Sequence, residues 1–233
     1  GCEHIWYSLD SWDNDTGLFF AYLIEGISGL DKACGDGLLQ LLESIQSVGY
    51  PSFMRSVITN LHQLEREFVL VLDDYHVIEN EQIDIFLNML IKHMPPKMKL
   101  VIITREDPAF PLSKYRLCKR LLEIRISDLR FTNEEAKAFL TKQLMRDIDD
   151  GHVALLTKRT EGWVAGIQLA ALSMQGLEDI NGFIEKLSGS HKYIMDYLIE
   201  EALEKQTEEV QRFLQLTSVL DYFSCELCDS LLD

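Results

Sequence analysis

Two aspartates close an apolar run in FVLVLDDYHVI (68–78), and an arginine closes another in KLVIITRED (99–107). Side chains of a strand alternate faces, so Asp73 and Asp74 point in different directions. The C-terminal edge of a parallel strand is where ligands of open α/β sheets bind. A carboxylate there can hold Mg²⁺, usually through water and phosphate oxygens, while the next can orient or polarise an attacking water. Arg105, at the end of the neighbouring run, is suited to a terminal phosphate. Each feature alone has a plain alternative: acids ending a strand in solvent, an arginine at an exposed strand end. The combination, with one helix between the two runs, points to nucleotide chemistry.

Other chemistries find little support. His76, two residues past the acid pair, reads as a satisfied structural histidine rather than a proton shuttle. His62, His93, His152 and His191 form no ligand cluster, and there is no HExxH, no GxSxG and no Cys–His arrangement for nucleophilic catalysis. A metal hydrolase built on the acid pair alone would need further histidines or acids nearby. The phosphate-binding loop GxxxxGK[ST] is also missing, since the sequence contains no Gly-Lys dipeptide. The nearest decoy, LSGSHK (187–192), lacks the glycine frame.

The elements that must position these residues follow from hydrophobic spacing. HIWYSLD reads as a short strand ending at an acid, and DTGLFFAYLIEGISGL has helical spacing. Residues 37–48 and 52–66 read as two more helices, with Pro51 at a helix start. FVLVLDD is too apolar to face water on either side, as expected of a central parallel strand. A helix over 80–93 stops at Pro95 and Pro96. KLVIITR and the shorter LLEIRI (121–126) read as further strands, and strand–helix–strand repetition implies a parallel α/β sheet. Beyond residue 131 the strands cease. FTNEEAKAFLTKQL opens with a capping box from Thr132 to Glu135. Helices are expected at about 149–158, 162–175, 179–188, 192–204, 207–217 and 224–232.

Composition bounds the function. The 233 residues are 47% apolar and 26% charged, enough for a core and for one or two domains. No apolar run is long enough for a membrane span and there is no N-terminal secretory pattern, which reads as a cytoplasmic chain with no membrane partner. A net charge of −16 argues against gripping DNA by its phosphates. Residues 97–130 run against this balance, with nine Lys/Arg and four acids, or +5. That segment is either a solvated basic face or a seat for an anionic ligand or acidic surface. The five cysteines are too few and too odd in number for a disulfide framework. Cys225 and Cys228, in CELC, read as two apolar-like thiols on a helix.

Taken together, FVLVLDDYHVI, LVIITREDPAFPLSKYR, LLEIRISDLRFTNEEAKAFL, RTEGWVAGIQLAALSMQG and YIMDYLIEEALEKQTEEVQRFLQLTSVLDYFSCELCDSLL resemble the MalT-like branch of large LuxR-type transcriptional regulators. The opening IWYSLDSWDNDTGLFFAYLIEGI is similar to that family's segment just after its P-loop. The resemblance implies a STAND-type signalling NTPase, in which ADP holds an inactive state and inducer plus ATP drives self-association. It implies a parallel-sheet P-loop NTPase-type core over 1–130 with its P-loop strand absent. An all-α helical domain over 131–190 and the start of a winged-helix-like domain over 191–233 would follow. By that likeness Asp73 (magnesium) and Asp74 (catalytic) match the Walker B acids, and Arg105 matches the sensor arginine. Gly162 and Trp163 fall where relatives set a helix start against adenine, although Val164 replaces a proline found in some. EGWVAGIQLAAL also reads as plain helix packing, with small residues allowing close approach. Arg116, in LSKYRL, matches a recurrent basic position.

The cofactors implied are ATP/ADP and Mg²⁺ in the intact protein. The partners implied are a nucleotide, an inducer sensed by another domain, and further copies of the protein. DNA would be bound only through a helix-turn-helix further along. The chain is thus expected to be a central segment, cut at both ends, that binds nucleotide weakly and hydrolyses none alone. The competing expectation is a non-catalytic module for docking between domains, suited to long amphipathic helices and the −16 charge.

Overall fold

A computed structural model describes residues 3–187 and 206–218, together with residues 196, 199, 203, 204, 224 and 228. The chain folds as two compact units, Gly1–Leu122 and Glu123–Asp233. No helix among the described residues is long and apolar enough to cross a membrane.

In the first unit, β1 (Glu3–Ser8), β2 (Phe68–Asp73) and β3 (Met98–Ile102) form a parallel sheet in the order β1-β2-β3. FVLVLDD is its middle strand, paired from Glu3↔Phe68 to Ser8↔Asp73 on one side and from Phe68↔Met98 to Leu72↔Ile102 on the other. Its apolar run reflects that central place. The connection β1–β2 carries α1 (Thr16–Leu30), α2 (Lys32–Glu43), α3 (Ile45–Val48) and α4 (Tyr50–Gln63), and β2–β3 carries α5 (Glu81–Lys92). Parallel crossovers are right-handed, and strands laid down in sequence order put all such helices on one face of the sheet. Burial agrees. Ile5, Tyr7, Phe68, Leu70, Leu72 and Met98 are buried, whereas Trp6, Val101 and Ile103 on the opposite face are 56%, 41% and 41% exposed.

The helices facing the sheet are started by side chains that satisfy free N–H groups. Asp15 accepts from Leu18 N before α1, and Asn80 from Gln82 N before α5. Pro51 lies in the first turn of α4, as its missing N–H favours. At the centre of the core, Phe20 packs edge-on against Phe19, Phe53 and Phe86. The expected helix 37–48 instead starts at Lys32 and breaks at Ser44. Gly35 permits this, because a Cβ there would collide with Ser28 of α1.

The expected strand LLEIRI is absent. Residues 121–125 have no regular structure, and Ile126 opens the short α7 (Ile126–Leu129). Leu122, Ile124 and Ile126 keep their alternation but are 85%, 64% and 72% exposed. A strand is defined by its neighbour's hydrogen bonds, and among the described residues no strand runs beside this segment. Between β3 and α7 lies α6 (Leu112–Leu117).

The second unit is helical. α8 (Asn133–Leu144) begins at the expected capping box, in which Thr132 and Glu135 each accept from the other's backbone N–H. α9 (Asp150–Arg159), α10 (Val164–Met174) and α11 (Ile180–Lys186) follow. Their core gathers Leu140, Ile148, Leu156, Ile167, Met174 and Ile184. Small residues Gly166, Ala170 and Ala171 form the buried stripe of α10. α12 (Glu208–Thr217) is the last described helix. The expected helices 192–204 and 224–232 fall almost wholly outside the described residues, as do Cys225 and just over half of the expected winged-helix-like start over 191–233.

Candidate functional site

Asp73 is the last residue of β2, and its carbonyl accepts from Leu9 N at 3.0 Å, so the exit of β1 stays paired. Its carboxylate Oδ1 accepts from Asp74 N at 3.1 Å. Asp74 then turns left-handed (φ 55, ψ 36), which carries its half-exposed side chain out of the strand line. Few L-residues adopt this conformation, and aspartate is among the more tolerant. A 3-10 turn over Tyr75–Val77 follows. Tyr75 N donates to Ile103 O at 2.9 Å, and Ile103 N to Leu72 O at 2.9 Å, extending β3 alongside the turn. The buried Tyr75 hydroxyl donates to the Asp84 carboxylate on α5. Burial first, then that hydrogen bond, pushes its pKa far up.

β3 leads through Thr104, whose hydroxyl donates to Glu106 O at 2.9 Å, to Arg105. Arg105 is exposed and pairs with no carboxylate among the described residues. The sheet therefore brings Asp73, Asp74 and Arg105 to one edge, the C-terminal one. Arg116 is on the exposed side of α6.

His76 departs from its expected role as a satisfied histidine. Its Nδ1 is buried without a hydrogen-bond partner and lies 3.8 Å from Asp74 Oδ1, too far for a hydrogen bond. The sequence gives no sign of this, because the ring's setting depends on the left-handed turn at Asp74.

Gly162 and Trp163 lie in the second unit. α10 starts at Val164, two residues later than expected. Trp163 is its N-cap and makes no side-chain cap bond. Glu161 and Gly162 are both left-handed (φ 50 and 72). Gly162 N donates to Thr157 O, and Gly162 O accepts from Phe131 N, both at 2.9 Å. A Cβ on Gly162 would lie 2.8 Å from Phe131 O. Glycine is therefore required by both conformation and space. The Trp163 ring lies over Gly166, where a Cβ would come within 2.7 Å of Cε3. Trp163 and Val164 line a cleft of about 1000 Å³ with Ile126, Leu129, Arg130 and Arg159. Its lining is mainly apolar with a few polar groups.

Comparison with known proteins shows what the chain resembles. The chain is 31% identical over 224 residues, 95% of its length, to the HTH-type transcriptional regulator MalT of Vibrio campbellii. It is 32% identical over 228 residues, 97% of its length, to that of Vibrio cholerae, and 30% over 217 residues, 92%, to that of Yersinia pestis. The chain is MalT-like along nearly its whole length. Residues 199–233 also match the MalT winged helix domain. The chain spans about a quarter of the length of these MalT relatives: 25%, 25% and 24%, respectively. The sheet edge and the cleft are thus both parts of a MalT-like stretch.

No group of three or more His, Cys, Asp or Glu that could hold a metal occurs among the described residues. Magnesium needs only one or two protein carboxylates when phosphates and waters complete its octahedron.

Proposed function

We propose that this chain supplies the Walker B and sensor half of an ATP-dependent signalling switch in a bacterial, cytoplasmic transcription regulator. The observation that carries the reading is the joint placement of Asp73, Asp74 and the free Arg105 at the C-terminal edge of the sheet. In this reading Asp73 helps hold Mg²⁺, which when bound neutralises phosphate charge. Asp74 orients and polarises the attacking water, and Arg105 meets the terminal phosphate. In the first unit Arg116 adds a positive charge, and in the second unit, taken by itself, the cleft at Gly162 and Trp163 is assigned to a flat base. The phosphate cradle comes from outside these 233 residues, because no GxxxxGK[ST] occurs within them. Hydrolysis then resets the switch slowly. Inducer sensing, self-association and DNA binding are assigned to other parts of the intact protein.

The test is ATP turnover by the intact protein with Asp74→Asn and with Arg105→Ala. Asp74→Asn keeps shape while removing the charge that polarises water. It should lower turnover roughly 100-fold or more, the scale of losing a general base, with ATP still bound. Arg105→Ala should abolish the difference between the ATP and ADP states. Unchanged turnover and unchanged switching would leave a non-catalytic docking module as the better reading.

A further inference from the structure

Asp74 holds a left-handed backbone, which an L-residue adopts only at a cost in free energy. Such conformations persist where the surroundings over-determine them. On its sheet side the turn is fixed by Tyr75 N donating to Ile103 O. Its far side is fixed by a residue 60 positions away. Val77 N donates to Asp74 O at 3.1 Å. The Val77 carbonyl accepts from Asn14 Nδ2 at 2.8 Å, and Glu79 N donates to Asn14 Oδ1 at 2.7 Å. Asn80 Nδ2 completes the clasp by donating to Asn14 O at 2.7 Å and to Thr16 Oγ1 at 3.0 Å.

Asn14 is itself held rigidly. It ends the 3-10 turn Ser11–Asn14, whose N-cap Asp10 and third residue Asp13 form a capping box. Asp13 is buried and accepts from the Tyr7 hydroxyl at 2.6 Å. The brace therefore runs from the core through the exit of β1 into the exit of β2.

We propose that Asn14 is a positioning residue for Asp74. Its amide holds the Tyr75–Val77 turn so that the Asp74 carboxylate stays aimed at the water it acts on. This rests on the reading of Asp74 given above. The chemistry is particular to an amide. Asn14 donates to one backbone group and accepts from another two residues on, which a carboxylate cannot do. Asn14→Asp keeps size and the bond from Glu79 N, loses the donor to Val77 O, and sets a negative charge against that carbonyl. A misplacement of about 1 Å in a reacting group can cost 100-fold in rate.

The experiment compares wild type, Asn14→Asp, Asp74→Asn and the double variant in the intact protein. Steady-state and single-turnover ATP hydrolysis, ATP affinity and thermal stability are all measured. Asn14→Asp should lower turnover roughly tenfold or more while ATP affinity is retained. In the Asp74→Asn background it should cause no further loss, because residues acting as a unit are non-additive. Asn14→Ala should repeat the pattern without introducing charge. The proposal is overturned by unchanged turnover, by an equal loss in both backgrounds, or by affinity and stability falling together with rate. It is also overturned if both Asn14 variants fail to fold, which would make Asn14 a general brace. If Asp74→Asn itself leaves turnover intact, the reading of Asp74 fails and takes this one with it. If Asp74→Asn abolishes turnover but Asn14→Asp does nothing, only the positioning role fails.

Discussion

Gly162→Ala is expected to destabilise the helical unit by about 3 kcal/mol, from three contributions. Placing alanine at φ 72 costs about 1–2 kcal/mol, offset by roughly 0.4–1 from the stiffer unfolded chain. The new Cβ would lie 2.8 Å from Phe131 O, 3.1 Å from Arg130 Cβ and 3.2 Å from Phe131 N. Two of those atoms are backbone and cannot rotate away, so the chain must retreat, at about 1–3 kcal/mol for overpacking. That retreat stretches the Phe131 N–H bond to Gly162 O, worth about 1 kcal/mol. Gly176 is the control. It has φ 77, but a Cβ there meets nothing within 4 Å, so Gly176→Ala carries the conformational cost alone. Thermal unfolding followed by circular dichroism should show Gly162→Ala melting roughly 10 °C below wild type. Gly176→Ala should lose less than half of that, and hydrogen exchange at the Phe131 amide should accelerate only in Gly162→Ala. Equal shifts for the two variants would refute the steric argument.

Other variants test separate points. Asp74→Gly should fold about as well as wild type, whereas Asp74→Ala should cost about 1 kcal/mol, since glycine alone takes the left-handed backbone freely. A midpoint in denaturant lower for Asp74→Gly than for Asp74→Ala would contradict the assigned turn. His152 contacts the Asp149 carboxylate and lies 3.6 Å from Glu185 on α11, and its pKa is raised, first by the bond to Asp149. Asp149 is lowered by the same bond. The histidine's contribution is fully present below its unfolded pKa of about 6.5 and is lost as pH rises through the higher folded value. The aspartate's contribution is lost as pH falls through its depressed value. The stability gap between wild type and His152→Asn should therefore shrink on going from pH 6 towards alkaline pH, and a gap that widens would exclude the pairing.

Much of the fold was legible because its signals are local. FVLVLDD reads as a middle strand because both its faces are apolar, and Thr132 with Glu135 marks a helix start by its own hydrogen bonds. LLEIRI misled because alternation shows only that a segment could pair, whereas pairing needs a second edge. The early start of α2 is not signalled by propensity, because Gly35 and Gly37 are unfavourable in a helix interior. At Gly35 the missing Cβ instead makes room for Ser28. In the candidate site, Asp73, Asp74 and Arg105 could be picked out from strand ends. The unpartnered His76 Nδ1 and the hydrogen bonds of Asn14 to Val77 and Glu79 could not, because they depend on one left-handed residue and on contacts far apart in sequence.

The exposed Trp6, Val101 and Ile103 on the sheet's second face have a colloidal consequence. Parallel sheets are ordinarily sheltered on both sides. Here Trp6, Val101 and Ile103 face outward on a chain carrying a charge of −16. Mutual repulsion between copies offsets the stickiness of that face, and the reach of repulsion depends on salt. It extends about 30 Å at 0.01 M and about 3 Å at 1 M. The purified chain should therefore disperse best in dilute buffer and cluster as ionic strength rises, which light scattering across a salt series would register. Trp6→Ser should blunt the clustering, since it removes the largest apolar group from that face while leaving the buried face untouched.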